Sequence, residues 1–127
     1  MSFRLSSRSR ARLVGVHPAL IAVVEAAITR TPVDFMITEG LRSAERQAAL
    51  IKAGASRTAR SRHLTGHAVD VAVLVEGQVR WDWPLYGRIA QAFKAAALDL
   101  KTSLIWGGDW KTLRDGPHFE LDRKAFP

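Results

Sequence analysis

The sequence predicts an α+β fold: a small antiparallel sheet with helices packed on one side, in a single domain. Three observations predict it. Two long segments carry apolar residues at helical spacing, the apolar or alternating runs are short and mostly linked as hairpins, and 127 residues suit one domain. Hydrophobic residues make up 47% and charged residues 24%, a globular composition. A chain of this size buries roughly two-thirds of its unfolded surface, so its core needs no disulfide or structural metal.

The elements follow in order. Residues 1–12 read as a basic arm carrying Arg4, Arg8, Arg10 and Arg12. His17-Pro18 then opens a helix through Arg30, with Leu20, Val23, Val24, Ala27 and Ile28 along one stripe. Thr31-Pro32 stops it, because proline lacks the N–H and clashes with the preceding turn. Val33 to Thr38 alternates as a strand, with Phe35 and Ile37 on one face. Ser43 is placed to cap a helix containing Arg46 and Gln47, which Gly54 ends. Residues 55–66 are polar and basic, a loop. Ala68 to Val75 is a buried strand with one acid, Asp70, set into it, and Glu76-Gly77 turns the chain so that Gln78 to Trp81 can return as a hairpin.

Pro84 suits the first turn of a second long helix, with Leu85, Ile89, Phe93, Ala96 and Leu100 as its stripe. Ser103 to Trp106 is a short strand, Gly107 to Gly116 a loop, and His118 to Leu121 a last strand. By residue type the four tryptophans are mostly core, and Trp106 or Trp110 is also placed to wall a cleft beside Asp109.

Composition excludes whole classes of chemistry. With no cysteine there is no disulfide scaffold, thiolate zinc finger, Cys nucleophile or iron–sulfur site, so any metal must sit on His and carboxylate. Nineteen Lys+Arg against 12 Asp+Glu give +7, a field that favours anionic partners. The Arg-rich start lacks the apolar core and cleavage site of a signal peptide, and no apolar stretch reaches membrane-spanning length.

The chemistry-bearing stretch is Ser61-Arg62-His63-Leu64-Thr65-Gly66-His67-Ala68-Val69-Asp70. A carboxylate in an apolar strand is costly to bury unless it is paired or ligates a metal. A second cluster, Asp115-Gly116-Pro117-His118, sets an acid and an imidazole around a rigid turn. Two His and one Asp leave the fourth tetrahedral position of a zinc to water, as catalysis requires. A nearby carboxylate can then move the water's proton, and Asp115 is the candidate. Each residue taken alone has an ordinary reading: a surface imidazole, a paired acid, or a turn aspartate at Asp115. His67 lies four residues from His63, but Gly66 and the strand after it argue against a helical ligand pair.

Ser61-x-His63-x-x-Gly66-x-Ala68-x-Asp70 followed by Asp115-x-x-His118 resembles the zinc peptidases of peptidoglycan. That family holds D-alanyl-D-alanine carboxypeptidases and L-alanyl-D-glutamate endopeptidases. Thr38-Glu39-Gly40-Leu41-Arg42-Ser43 and Trp106-Gly107-Gly108-Asp109-Trp110 are similar to its phage endolysin branch. The resemblance implies one zinc per chain on His63, Asp70 and His118, with Asp115 as the base that activates water and returns its proton to the leaving amine. It implies that Arg42 stabilises the reacting carbonyl oxygen; pairing with Glu39 or Glu45 at a helix entrance is the other reading of that arginine. Ser61, Gln47, Asp109 and Trp110 are the implied substrate contacts.

The activity implied is hydrolysis of peptidoglycan stem peptides, with the L-alanyl-D-glutamate bond preferred. The alternatives are a D-alanyl-D-alanine carboxypeptidase and a non-catalytic zinc-containing binding domain of the same fold. The same resemblance implies a monomer made in the host cytoplasm, without membrane insertion or a nucleic-acid partner. Such an enzyme reaches the wall after release through a separate pore-forming protein.

Overall fold

A computed structural model describes residues 3–54 and 61–127. Four helices, α1 (Ser7–Arg12), α2 (Pro18–Arg30), α3 (Ala44–Lys52) and α4 (Trp83–Asp99), accompany five strands: β1 (Asp34–Glu39), β2 (Ala68–Val75), β3 (Gln78–Arg80), β4 (Leu104–Trp106) and β5 (His118–Leu121). Every strand pairing is antiparallel, in the order β1-β2-β5-β4. β2 organises the sheet. β1 runs along one edge of it, while β5 and β3 share the other, β5 against Ala68–Asp70 and β3 against Val73–Val75.

Helices and strands meet through the stripes that their periodicities predict. The five buried residues of α2 are Leu20, Val23, Val24, Ala27 and Ile28. They join Phe35, Ile37, Val69, Val71, Val73, Phe119 and Leu121 from the sheet in one core. Phe93 of α4 stacks on Phe119 with ring centroids 3.9 Å apart. In α4 the buried set is Tyr86, Ile89, Ala90, Ala92, Phe93, Ala96 and Ala97, whereas Leu100 is exposed and Leu85 only partly covered. Leu100 lies beyond the last helical residue, as the C-cap of α4, and so leaves the buried face. Tyr86 carries its hydroxyl to the Arg80 carbonyl at 2.9 Å and accepts from Val73 N at 3.2 Å, so a buried polar atom is satisfied.

Three expectations change. The basic arm is partly helical: α1 is capped by Ser6, buries Ser9, and sends Arg12 to the Ile37 carbonyl at 3.0 Å. Ser9 Oγ accepts from Ile37 N at 3.0 Å, which stitches α1 to β1. Trp81 and Trp83 are exposed rather than core, while Trp106 is buried and donates to the Gly116 carbonyl at 2.7 Å. The polar segment 55–66 is a loop only in part. Residues 55–60 lie outside the described residues, and Arg62–Thr65 form a 3-10 turn in which Arg62 is buried, donating to the Leu121 and Phe126 carbonyls at 3.2 and 2.6 Å.

Candidate metal centre

The sheet register assembles the site. Asp70 is opposed by His118 of β5 on one side and Glu39 of β1 on the other. Directly opposed residues share a face, so three ionisable side chains stand in a row across three strands. They face away from the apolar core because strand side chains alternate and Val69, Val71 and Phe119 point into it.

His63 arrives from the 3-10 turn before β2. Ser61 starts that turn, its Oγ accepting from His63 N at 3.2 Å, and Gly66 ends it in the left-handed conformation at φ 75°. A Cβ on Gly66 would stand 2.5 Å from the Gly15 carbonyl oxygen, so the motif's glycine is required twice over. The carbonyl of Gly40 accepts from His63 Nδ1 at 2.9 Å. A carbonyl only accepts, so this bond keeps a proton on Nδ1 and makes Nε2 the nitrogen open to a metal. That Nε2 is buried and makes no hydrogen bond.

His118 opens β5 after the Asp115–Pro117 turn. Its Nδ1 lies 3.0 Å from Asp70 Oδ1, and its Nε2 lies 2.8 Å from Glu120 Oε1. The same Oδ1 is 3.2 Å from His63 Nε2. Ligand atoms of His63, Asp70 and His118 all lie within 4.8 Å of one another. Four ligands at 2.0–2.1 Å around a tetrahedral ion stand about 3.3 Å apart, close to the separations found here. An orphaned imidazole nitrogen, a shared carboxylate oxygen and a second imidazole thus fit a zinc-like ion, through His63, Asp70 and His118.

Electrostatics follow from this crowding. Burial works to raise the Asp70 carboxyl, but the His118 and His63 imidazoles overcome it and hold it below the usual range. Burial works to lower His118, yet its hydrogen bonds to Asp70 and Glu120 raise it to about 9. Burial pushes Asp115 up and the Asp70 charge adds to this, while His118, His63 and Arg42 pull the other way.

Asp115 is set by its backbone. Its N–H donates to Gly107 O at 3.0 Å, and its carbonyl accepts from His118 N at 3.2 Å. A Cβ on Gly107 would fall 2.3 Å from the Asp115 carbonyl oxygen, so the Trp106-Gly107-Gly108 segment owes one glycine to this contact.

Arg42 is 9% exposed and gathers Glu39, Gln47 and Ser61. Its Nη2 lies 3.8 Å from Asp70 Oδ2, so the guanidinium borders the cluster. Gln47 and Ser61 both meet Arg42 Nη1. Trp110 brings its ring within 5.2 Å of the His118 ring. Asp109 instead pairs with Lys94 of α4 at 2.6 Å. His67 hydrogen-bonds Thr65 and faces His17, whose Nδ1 caps α2 by accepting from Ala19 N.

Sequence reasoning gave Glu39 only as a pairing partner and left out Glu120. Glu120 was findable, being two residues from His118 on a strand and hence on the same face. Glu39 was not, because its face depends on a register shift in β1 between Ile37 and Glu39.

A family model described as phage L-alanyl-D-glutamate peptidase matches residues 1–126. The chain belongs to this family. The L-alanyl-D-glutamate peptidase of Escherichia phage T5 is 32% identical over 130 residues, covering 99% of this chain and 94% of that enzyme. The peptidoglycan L-alanyl-D-glutamate endopeptidase CwlK of Bacillus subtilis is 34% identical over 113 residues, 77% of this chain and 66% of CwlK. The same-named enzyme of Listeria phage A118 is 37% identical, but this chain spans only 32% of its length. Among solved structures, the Serratia marcescens L-Ala D-Glu endopeptidase ChiX superposes with TM-score 0.92 at 47% identity, covering 98% of this chain and 94% of ChiX. The vancomycin-resistance D,D-dipeptidase VanXYg shares the fold at TM-score 0.55 and 21% identity, over 84% of this chain and 50% of its own.

Proposed function

We propose that this chain is a zinc-dependent endopeptidase that cleaves the L-alanyl-D-glutamate bond of peptidoglycan stem peptides. The observation that carries the reading is the convergence of His63 Nε2, Asp70 Oδ1 and His118 Nδ1 on one point. Membership of the phage L-alanyl-D-glutamate peptidase family supplies the bond.

His63, Asp70 and His118 would hold the zinc. When bound, zinc supplies Lewis acidity, polarising a carbonyl and lowering the pKa of water toward neutrality. The chain's own residues do the rest. Asp115 takes a proton from the attacking water and passes it to the departing amine, since a carboxylate can accept in the first half of that transfer and donate in the second. Arg42, fixed by Glu39 and Gln47, presents a rigid cation where the carbonyl oxygen gains charge. Trp110, beside His118, gives the substrate an apolar wall.

The enzyme works as a monomer on the cell wall. It is made in the host cytoplasm and passes the inner membrane through a separate pore-forming protein. Among the described residues no helix is long and apolar enough to cross a membrane.

The test is metal analysis of purified chain followed by mass spectrometry of digested wall. About one zinc per chain and fragments with new N-terminal D-glutamate are expected. Release of D-alanine alone would make the chain a carboxypeptidase, and zinc without fragments would make it a binding domain.

A further inference from the structure

We infer that Glu120 is a positioning residue of the metal centre, selecting which nitrogen of His118 faces Asp70 and His63. The inference rests on the reading of His63, Asp70 and His118 as the ligand set. His118 and Glu120 are alternate residues of β5, so their side chains emerge side by side on the same face. Glu120 Oε1 meets His118 Nε2 at 2.8 Å, with the two side chains 13% and 8% exposed. Among the described residues no Lys or Arg comes within ion-pair distance of Glu120, so His118 is its charge partner.

The logic is that of tautomers. Carboxylates only accept, so without metal His118 donates both ring protons, Nδ1 to Asp70 and Nε2 to Glu120. When a metal takes the place of the Nδ1 proton, Glu120 keeps the proton on Nε2. Nδ1 is the atom that faces Asp70 Oδ1 at 3.0 Å. His63 is set in the opposite sense, because the Gly40 carbonyl takes its Nδ1 proton and frees Nε2. The two imidazoles therefore offer different nitrogens to one point, each fixed by an acceptor behind it. Carboxylates behind ligand imidazoles fix ring orientation and raise ligand basicity in this way.

The register also accounts for the alanine in Gly66-x-Ala68-x-Asp70. Ala68 is the cross-strand partner of Glu120 and is fully buried. Directly opposed Cβ atoms are about 4.5–5.5 Å apart, so a larger side chain at position 68 would crowd Glu120. The small residue leaves Glu120 room to lie along the strand toward His118.

The experiment compares the full chain with Glu120→Ala and Glu120→Gln. Zinc affinity is read by chelator competition, fold by circular dichroism of the chelated proteins, and the His118 tautomer by 15N imidazole shifts of the zinc-loaded chain. Glu120→Ala is expected to bind zinc about 10–100-fold more weakly with its fold intact. Glu120→Gln, which keeps an acceptor oxygen, recovers part of the loss, and wild-type His118 shows its proton on Nε2. Zinc binding by Glu120→Ala at wild-type strength, or a wild-type proton on Nδ1, would overturn the role of Glu120 while leaving the metal centre standing. A wild-type chain that takes up no zinc would overturn the metal centre itself, and this inference with it. Should Glu120→Ala fail to fold, the wild-type tautomer and the affinity of Glu120→Gln decide the matter.

Discussion

Arg42 holds Glu39 by one whole edge of its guanidinium, Nε to Oε1 at 2.6 Å and Nη2 to Oε2 at 2.7 Å. The remaining nitrogen, Nη1, donates to Gln47 at 2.6 Å and reaches Ser61 at 3.4 Å. The arginine is thus both the keystone of a helix entrance and a cation beside Asp70. Its two readings from sequence are not exclusive.

Arg42 variants separate those roles. Arg42→Ala strands a mostly buried Glu39, at a cost on the order of 3 kcal/mol, and should lower the melting temperature accordingly. If the guanidinium also meets the carbonyl oxygen, kcat per folded, zinc-loaded molecule falls about a hundredfold. Arg42→Lys cannot span Glu39 and Gln47 together, so it rescues both only in part. Wild-type kcat in folded Arg42→Ala would leave the residue a purely structural role.

Asp115→Asn tests the proton carrier. The amide keeps the shape and the backbone contacts to Gly107 and His118 but cannot accept a proton. Zinc content should stay near one per chain while turnover drops on the order of a hundredfold or more. Near-normal turnover would move the base elsewhere; Asp109, tied to Lys94, is poorly placed to take over.

The Asp70–His118 pair sets a pH window for the chelated chain. His118 is raised from 6.5 to about 9, so its stabilisation is full below pH 6.5 and is lost as pH rises through about 9. Asp70 is lowered from 3.8, so its stabilisation is present above that value and is lost on acidification. Chelated protein should therefore melt highest between these limits and lose several degrees by alkaline pH. Zinc must displace a proton from His118, so zinc uptake should release protons and tighten as pH rises. Melting curves across pH with and without chelator check both trends; a chelated chain with a flat profile up to pH 9.5 would contradict the pairing.

Gly107→Ala probes the seat of Asp115. The added methyl meets the Asp115 carbonyl oxygen at 2.3 Å, a backbone atom that cannot rotate away. A loss of about 1–3 kcal/mol is expected from such overpacking, together with reduced turnover as Asp115 shifts. Wild-type melting and turnover would show that the turn yields freely.

Much of this protein was determined by sequence alone, wherever the governing physics is local. The helical spacing of Leu20, Val23, Val24, Ala27 and Ile28 marked the buried face of α2, since 3.6-residue periodicity is a property of the chain. Ser43 capped its helix through Arg46 N, and Ala68 to Val75 ran as one strand from end to end. The His63, Asp70 and His118 cluster, which could hold a metal ion, was legible because its motifs are short and separately recognisable. What only the tertiary structure decided depends on which strands meet and in which register. Alternation from Phe35 and Ile37 would send Glu39 into the core, yet the shift between Ile37 and Glu39 sets it opposite Asp70. One extra residue reverses the facing of everything beyond it. That reversal is what gives Arg42 its carboxylate beside the candidate metal site, and pairing with a strand some thirty residues downstream leaves no trace in local spacing.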